Sequence, residues 1–352
     1  MNINDIDTPA VLIDLAKVEA NLKRAQDYVS AQGWQMRPHV KTHKLARFAR
    51  RQMELGAVGI TAQKLGEAEA MADGGISDIF LPYNILGARK LSRLQAMHDR
   101  VRLAVTADSL ITIAGYAGQF SDPERRLRVL IECDTGAGRC GVQTGAEAVT
   151  LARVLVAAKG LEFDGLMTYP PRGGMAATQA WLAAALAEFR VAGIAVNTVS
   201  TGGTPDLMHA SAISATTEYR PGTYIYSDRM QVALGHGSLE NCALTVLATV
   251  VSRPTPNRAI LDAGSKALAA DLCPAPGHGH ILGYPAARVE VLSEEHAAVD
   301  ISACARRPEI GERVRVIPNH ACVVSNLFDV VHLMQGTRVD EVALITSRGK
   351  LS

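Results

Sequence analysis

Apolar positions recur along this chain in two rhythms, one after the other. Over residues 14–31, Leu15, Val18, Leu22 and Ala25 return at helical spacing until Gly33 stops the pattern. A short apolar strand, residues 8–13, stands before it. Short apolar runs then alternate with helical stretches. Strands are predicted over 34–38, 57–62, 78–81, 101–106, 128–132, 163–168, 197–200 and 216–220. Helices are predicted over 45–55, 65–72, 88–98, 109–119, 146–159 and 178–192, with only a helical turn near Leu207 after the seventh strand. Eight β units over about 200 residues is the size of a (β/α)8 barrel. A doubly wound sheet is the structural rival. It would place a glycine fingerprint after the first strand, where Arg37-Pro38-His39-Val40-Lys41 stands instead.

Past Tyr226 the rhythm changes. Runs over 244–252, 259–261, 287–292, 298–301 and 314–317 are short and β-like, with Gly and Pro clustered between them and no long amphipathic helix. The expected architecture is a TIM-type barrel over residues 15–235, followed by an all-β domain over 236–352 that also takes in residues 1–14. Composition changes this picture little. A hydrophobic content of 48% supports a large core, and a net charge of +1 without basic blocks argues against nucleic acid. No run of about eighteen apolar residues suggests a membrane span. The polar, acidic start lacks the marks of a signal peptide, so a cytoplasmic protein is expected. Six cysteines without framework spacing read as reduced thiols.

In such a barrel the chemistry lies at the C-terminal ends of the strands. Those ends carry Lys41; Gln63 and Lys64; Tyr83 and Asn84; Asp108; Asp134 and Arg139; Tyr169; Gly202, Gly203 and Thr204; then Arg220, Gly222 and Tyr224. Lys41, flanked by apolar residues, is expected to be partly desolvated, which lowers an amine's pKa and makes it a nucleophile towards aldehydes. It is read as the Schiff-base lysine of an aldehyde cofactor, pyridoxal phosphate. After strand seven, Gly202 and Gly203 allow backbone N–H groups to converge on an anion, with hydroxyls from Thr201 and Thr204 and the dipole of a short helix from Pro205. Arg139 is placed to donate to a phenolate oxygen, its bland role being an ion pair with Asp134. Further on, a His-X-Cys pair, His320 and Cys322, would share one face of a strand and offer an imidazole and a thiolate to a divalent metal. Zinc is the first expectation, with manganese or magnesium as alternatives.

The block Pro38-His39-Val40-Lys41-Thr42-His43-Lys44 resembles the lysine motif of the D-threonine aldolase and D-serine dehydratase family. Three more stretches match in the same order: Asp134 to Gly141, the Gly202-Gly203-Thr204-Pro205 turn, and Ser293-Glu294-Glu295-His296 with Pro318-Asn319-His320-Ala321-Cys322. The resemblance implies an alanine-racemase-like barrel with a C-terminal β domain. It implies Lys41 as the Schiff-base lysine and Arg139 at the cofactor's ring oxygen. Gly202, Gly203, Thr204 and Tyr224, with Tyr169, Thr201 and Gly222 nearby, would form the rest of the cofactor site. His320 and Cys322 would be metal ligands, with Glu295 and His296 as supporting or substrate-side groups, and His39 also towards substrate. A homodimer is expected.

One loop departs from the family. After strand six a histidine-bearing segment is expected near the substrate, yet the chain reads Thr168-Tyr169-Pro170-Pro171-Arg172-Gly173-Gly174. Arg172 there is suited to grip an anionic group of a small amino-acid substrate. The expected activity is a lyase on β-hydroxy-D-amino acids, cleaving Cα–Cβ to glycine and an aldehyde. The alternatives are a zinc-dependent dehydratase of D-serine or 3-hydroxy-D-aspartate and, further off, an amino-acid racemase using Tyr284 as a second base.

Overall fold

The computed structural model describes residues 1–352 and divides into two compact units. One comprises Ala25–Lys41, Ala46–Gly222 and Lys350–Ser352; the other comprises Met1–Arg24, Thr42–Leu45 and Thr223–Gly349. No helix is long and apolar enough to cross a membrane.

The first unit is built on eight parallel strands: Gln35–Met36, Ile60–Thr61, Asp78–Leu81, Arg102–Ala107, Leu127–Cys133, Leu161–Thr168, Thr198–Thr201 and Glu218–Tyr219. Each of the middle strands has one neighbour before and one after it in the chain, and Gln35–Met36 pairs back with Glu218–Tyr219. Between the first and second strands there is no ladder. A bridge between His39 and Thr61, with the Thr61 N–H donating to Pro38 O at 2.8 Å, joins them instead. The strands are buried on both sides, as parallel strands must be under helices. Ile79, Leu81, Val105, Ile131 and Leu166 point outwards into one large apolar cluster with the helices. Alternate residues point inwards, where Phe80, Ala104, Leu130 and Met167 form a small apolar layer.

The rest of the interior is polar. Arg37 Nη1 donates to Asp78 Oδ1 at 2.5 Å, and Arg37 Nε donates to Glu218 Oε2 at 2.6 Å. Ser200 Oγ donates to Glu218 Oε1 at 2.5 Å, Arg220 Nη1 donates to Ser200 Oγ at 2.6 Å, and Arg220 Nη2 donates to Thr168 O at 3.0 Å. Burial works against the charge on Arg37, but Glu218 and Asp78 more than offset it and hold the guanidinium well above its ordinary pKa. Gly59 makes room for this crossing: a Cβ there would meet Arg37 Nη1 at 2.3 Å and Asp78 Oδ1 at 2.7 Å.

The second unit is mainly β. Ala10–Asp14 pairs antiparallel with Leu244–Thr255 and parallel with Val330–Gln335, so the early strand belongs to this sheet. Arg258–Leu261, Arg288–Leu292, Ala297–Asp300, Gly279–Ile281, Arg313–Pro318 and Arg338–Leu344 complete it. Gly279–Ile281 and the hairpin of Val330–Gln335 with Arg338–Leu344 lie outside the strands expected from the sequence. Short helices, Ser265–Leu268 and Ala321–Leu327, interrupt the β pattern. After the seventh barrel strand the expected turn is a 3-10 helix, Leu207–Ala212.

Replacing Arg37 with Met leaves two buried carboxylates without their cation. We expect Arg37→Met to lose about 3–5 kcal/mol in urea unfolding. Arg51→Met, which removes an exposed pair with Glu54, should stay within about 1 kcal/mol. Equal losses would mean the interior network contributes little.

Candidate active site

Lys41 lies not on the strand itself but on the 3-10 turn Val40–Thr42 that follows it. His39 shapes this turn: its Nδ1 accepts the Lys41 N–H at 3.3 Å, and its Nε2 pairs with Gln63 Oε1 at 3.0 Å. The expectation that Lys41 is desolvated is corrected here. Lys41 is exposed, whereas Thr42, His43 and Lys44 after it are buried. Its apolar flanks in sequence turn away from it, because a turn, unlike a strand, separates neighbours. The His39 ring is occupied by the turn, and His43 Nδ1 accepts the Leu45 N–H at 3.1 Å, so the two histidines serve the backbone.

The turn after strand seven is built as a close backbone approach. Gly202 has φ of 111°, and a Cβ there would fall 2.6 Å from the Tyr219 ring; one at Gly203 would fall 2.9 Å from the Tyr169 ring. Tyr219 clamps the turn, its hydroxyl donating to Gly203 O at 2.8 Å. Thr204 Oγ1 accepts the Gly222 N–H at 3.2 Å, tying the ends of strands seven and eight together. Two earlier expectations change. Thr201 is buried with its hydroxyl paired to Thr216 Oγ1 at 2.9 Å, inside the barrel wall. The helix dipole is also weak, because the 3-10 helix has only six residues, Leu207–Ala212, and its N-cap Asp206 adds a negative charge nearby. A cleft lined by Tyr169, Arg172, Gly202, Gly203, Asp206 and Tyr219 opens beside the turn. Arg172 is exposed in it, and Asp206 Oδ2 accepts the Gly173 N–H at 3.3 Å, holding the strand-six loop to the turn.

The strand-five loop is folded by Asp134, whose Oδ1 accepts the N–H groups of Gly136 and Gly138 at 3.0 and 3.1 Å. That carboxylate is therefore committed to its own loop. Arg139 lies over the Tyr169 ring, 4.9 Å from its centroid. Arg220, among the strand-end residues, and Glu132, which the strand-end reading does not include, belong to the same mouth. Arg220 is buried and held below its usual pKa, chiefly by burial. Glu132 is buried, and burial first, then the nearby Asp108 and Asp134, push its carboxyl up to about 7 against the pull of Arg139 and Arg220. The signal for Glu132 was available: it is the one acid in the otherwise apolar end of a buried strand.

In the second unit, His320 and Cys322 do not sit on a strand. His320 is the N-cap of the helix Ala321–Leu327 and Cys322 is in its first turn. Asp228 turns the chain here, its Oδ2 accepting the Ala321 N–H at 2.9 Å, and Asn319 Nδ2 donates to Asp271 O and Gly277 O. The extended N-cap still brings the imidazole to the sulfur. His320 Nδ1 lies 3.0 Å from Asp271 Oδ1, a partner 49 residues away that no spacing announces. Cys322, then Asp271 and Asp228, raise the imidazole to about 9 despite burial. An imidazole whose Nδ1 is held by a carboxylate while the ring meets a cysteine sulfur suits a divalent cation. No third His, Cys, Asp or Glu joins them. His296 is exposed at a hairpin turn, and Glu295 pairs with Lys266 at 2.7 Å, so neither contacts the pair. Tyr224 is buried on the 3-10 turn Thr223–Ile225. Tyr284 bonds Glu312 and Arg306 rather than standing as an open base.

A barrel with a lysine after strand one, a glycine turn after strand seven and a β-rich second unit defines an alanine-racemase-like protein. Residues 13–230 match the family described as alanine racemase, N-terminal domain, and residues 243–334 match a putative serine dehydratase domain; the chain belongs to this family. Membership supports pyridoxal phosphate as the cofactor. The chain is 33% identical to a D-threonine aldolase of Arthrobacter sp, over 98% of this chain and 93% of that one. It superposes on the crystal structure of D-threonine aldolase from Filomicrobium marinum with a TM-score of 0.91 and 30% identity, covering 99% and 97% of the two chains. D-threo-3-hydroxyaspartate dehydratase from Delftia sp. HT23 matches with a TM-score of 0.88 and 28% identity, covering 97% and 98%. D-threo-3-hydroxyaspartate dehydratase has also been solved with a histidine replaced by alanine and, in a metal-free form, with a cysteine two positions further on replaced by alanine.

The raised Glu132 gives the fold a pH dependence. A carboxyl raised from its ordinary value to about 7 favours the folded state when protonated, so its contribution is full below about 4.5 and is lost as pH rises through 7. The loss is about 3 kcal/mol at most. The urea midpoint of the protein should fall between pH 5 and pH 8, and Glu132→Gln should flatten that fall; an unchanged slope would show that Glu132 is ionised throughout.

Proposed function

We propose that this chain is a pyridoxal-phosphate- and metal-dependent lyase of β-hydroxy-D-amino acids that cleaves Cα–Cβ to give glycine and an aldehyde. The observation that carries the reading is the pairing, within one chain, of an exposed Lys41 after strand one with a carboxylate-backed His320/Cys322 donor pair. The full-length likeness to D-threonine aldolases supports it. Residues 15–235 are assigned to the cofactor and residues 1–14 with 236–352 to the metal, in a homodimer.

In this reading Lys41 Nζ holds the cofactor covalently. Gly202, Gly203, Thr204, Gly222 and Tyr224 receive its phosphate, and the crowded glycine turn fits a group that needs bare backbone. Arg139 lies at the ring oxygen, with Tyr169 stacked beneath its guanidinium. His320 Nε2 and Cys322 Sγ hold zinc, and Asp271 fixes the imidazole tautomer by accepting from Nδ1. Bound pyridoxal phosphate supplies an electron sink for the pair left at Cα. The metal supplies a Lewis acid towards the β-hydroxyl oxygen. Arg172, exposed in the cleft beside the glycine turn, takes a second carboxylate when the substrate has one.

A second reading, loss of the hydroxyl as water, has one observation in its favour. His320 and Cys322 repeat the spacing of the histidine and cysteine replaced in the D-threo-3-hydroxyaspartate dehydratase variants. There Lys41 Nζ, freed once the substrate amine takes its place, would take the α-proton as the hydroxyl leaves as water, and uptake of one water would then release the keto acid and ammonia. A racemase is disfavoured because the Tyr284 hydroxyl is committed to Glu312.

The test is product analysis on the metal-loaded holoenzyme with D-threonine, D-serine and 3-hydroxy-D-aspartate. Glycine with an aldehyde establishes the first reading, and keto acid with ammonia the second. Lys41→Ala should remove the visible cofactor band, and a surviving band would sink the lysine assignment. Arg172→Ala should raise the KM for 3-hydroxy-D-aspartate about tenfold more than that for D-threonine, the worth of a lost charge-assisted bond; equal effects would remove the proposed grip.

A further inference from the structure

The sulfur of Cys322 is met by two hydroxyls from distant parts of the chain. Thr42 Oγ1 lies 3.1 Å from Cys322 Sγ and Thr223 Oγ1 lies 3.4 Å from it. Both threonines stand on 3-10 turns, Val40–Thr42 and Thr223–Ile225, and Thr42 is fully buried. We propose that Thr42 and Thr223 are positioning residues that hydrogen-bond the Cys322 sulfur, fixing its direction and its donor strength towards a divalent metal.

The argument is one of saturation and stiffness. A thiolate is a strong acceptor with several lone pairs, and a hydroxyl supplies one hydrogen. Threonine is β-branched, so packing that fixes its methyl also fixes the direction of its hydroxyl. Two such donors, together with the His320 ring, hold the sulfur from separate elements. Cys322 is on the first turn of a short helix, whose backbone alone leaves the side chain free to rotate about χ1. The hydroxyls remove that freedom. They also draw charge from the sulfur, leaving it a weaker electron donor and the metal a stronger Lewis acid towards a substrate oxygen. In the chain Thr42 follows Lys41 directly and Thr223 follows Gly222, so each hydroxyl belongs to the same backbone turn as a proposed cofactor anchor. A threonine placed there merely to fill space would serve as well as valine.

This inference rests on the proposed metal reading, and cobalt separates the two. Cobalt(II)-loaded holoenzyme should show a sulfur-to-cobalt charge-transfer band in the near ultraviolet, absent from Cys322→Ala. In Thr42→Val and Thr223→Val the sulfur becomes more electron-rich, so the band should move to longer wavelength. Loss of the fixed sulfur direction should outweigh the stronger donation, so the metal should also pass to a competing chelator at about tenfold lower chelator concentration, the usual effect of losing an outer hydrogen bond to a ligand. Thr42→Ser and Thr223→Ser keep the hydroxyl and should restore both properties, which a packing defect would not allow. The visible cofactor band gives an independent check that each variant is folded. A band in the wild type that stays in place in both valine variants, with unchanged metal affinity, overturns the role of the hydroxyls alone. No charge-transfer band in the wild type overturns the metal site and this inference with it.

Discussion

The barrel depends on a cation crossing a weak seam. Its first, second and eighth strands are two residues long, so they bring few backbone hydrogen bonds. The first and second are joined by a single bridge. At this thin part of the wall Arg37 spans from Glu218 on the eighth strand to Asp78 on the third, passing over Gly59 ahead of the second. A buried ion pair is weak evidence for stability when apolar packing is the alternative. Here the alternative is missing, because the interior has only one small apolar layer. The ions serve instead to set the relative positions of strands whose ladders are too short to do so.

The same network reaches the catalytic end of the barrel. From Glu218 it continues through Ser200 to Arg220 and ends on the Thr168 carbonyl, next to Tyr169. The strand-six loop, which carries Tyr169 and Arg172, is thus positioned from below by a chain of hydrogen bonds rooted at the seam. Arg220 is buried, and Glu132 nearby is raised by burial more than it is lowered by the two arginines. The mouth therefore holds more fixed positive charge than its list of acids suggests. That balance suits an anionic ligand and explains how a glycine turn fronted by the Asp206 carboxylate can still serve one.

How much of this was legible depended on whether a feature was local. The strand–helix alternation, Lys41 and the glycine turn were read because each announces itself within a few residues. The His-X-Cys spacing is legible, but not its element, because the group that turns the chain there is Asp228, 93 residues before the Ala321 N–H that it accepts. Asp271 reaches His320 through a loop of Gly and Pro that has no pattern of its own. Thr201 adjoins the glycines and reads as a donor, yet strand alternation puts its hydroxyl into the wall opposite Thr216. The apolar flanks of Lys41 suggested burial, yet a 3-10 turn sends successive side chains in different directions and leaves the amine exposed. Sequence spacing brings out the candidate groups here, while their environment comes from partners far along the chain.

The two chemistries weighed for this scaffold differ in one proton. Cα–Cβ cleavage requires a base for the β-hydroxyl; dehydration requires a base for Cα and a metal that makes the hydroxyl a better leaving group. The chain offers candidates for the second set, an exposed Lys41 and a His320/Cys322 pair backed by Asp271. For the first, the strand-six loop offers Tyr169 and Arg172 where a histidine is expected by resemblance. An arginine is no base at neutral pH, and the Tyr169 ring is covered by Arg139. A divalent metal held by His320 and Cys322 would lower the pKa of an oxygen that it binds, which would lessen the need for a dedicated side-chain base. Cleavage on this scaffold then places its demand on the electron-accepting power of the metal, and hence on whatever surrounds the Cys322 sulfur.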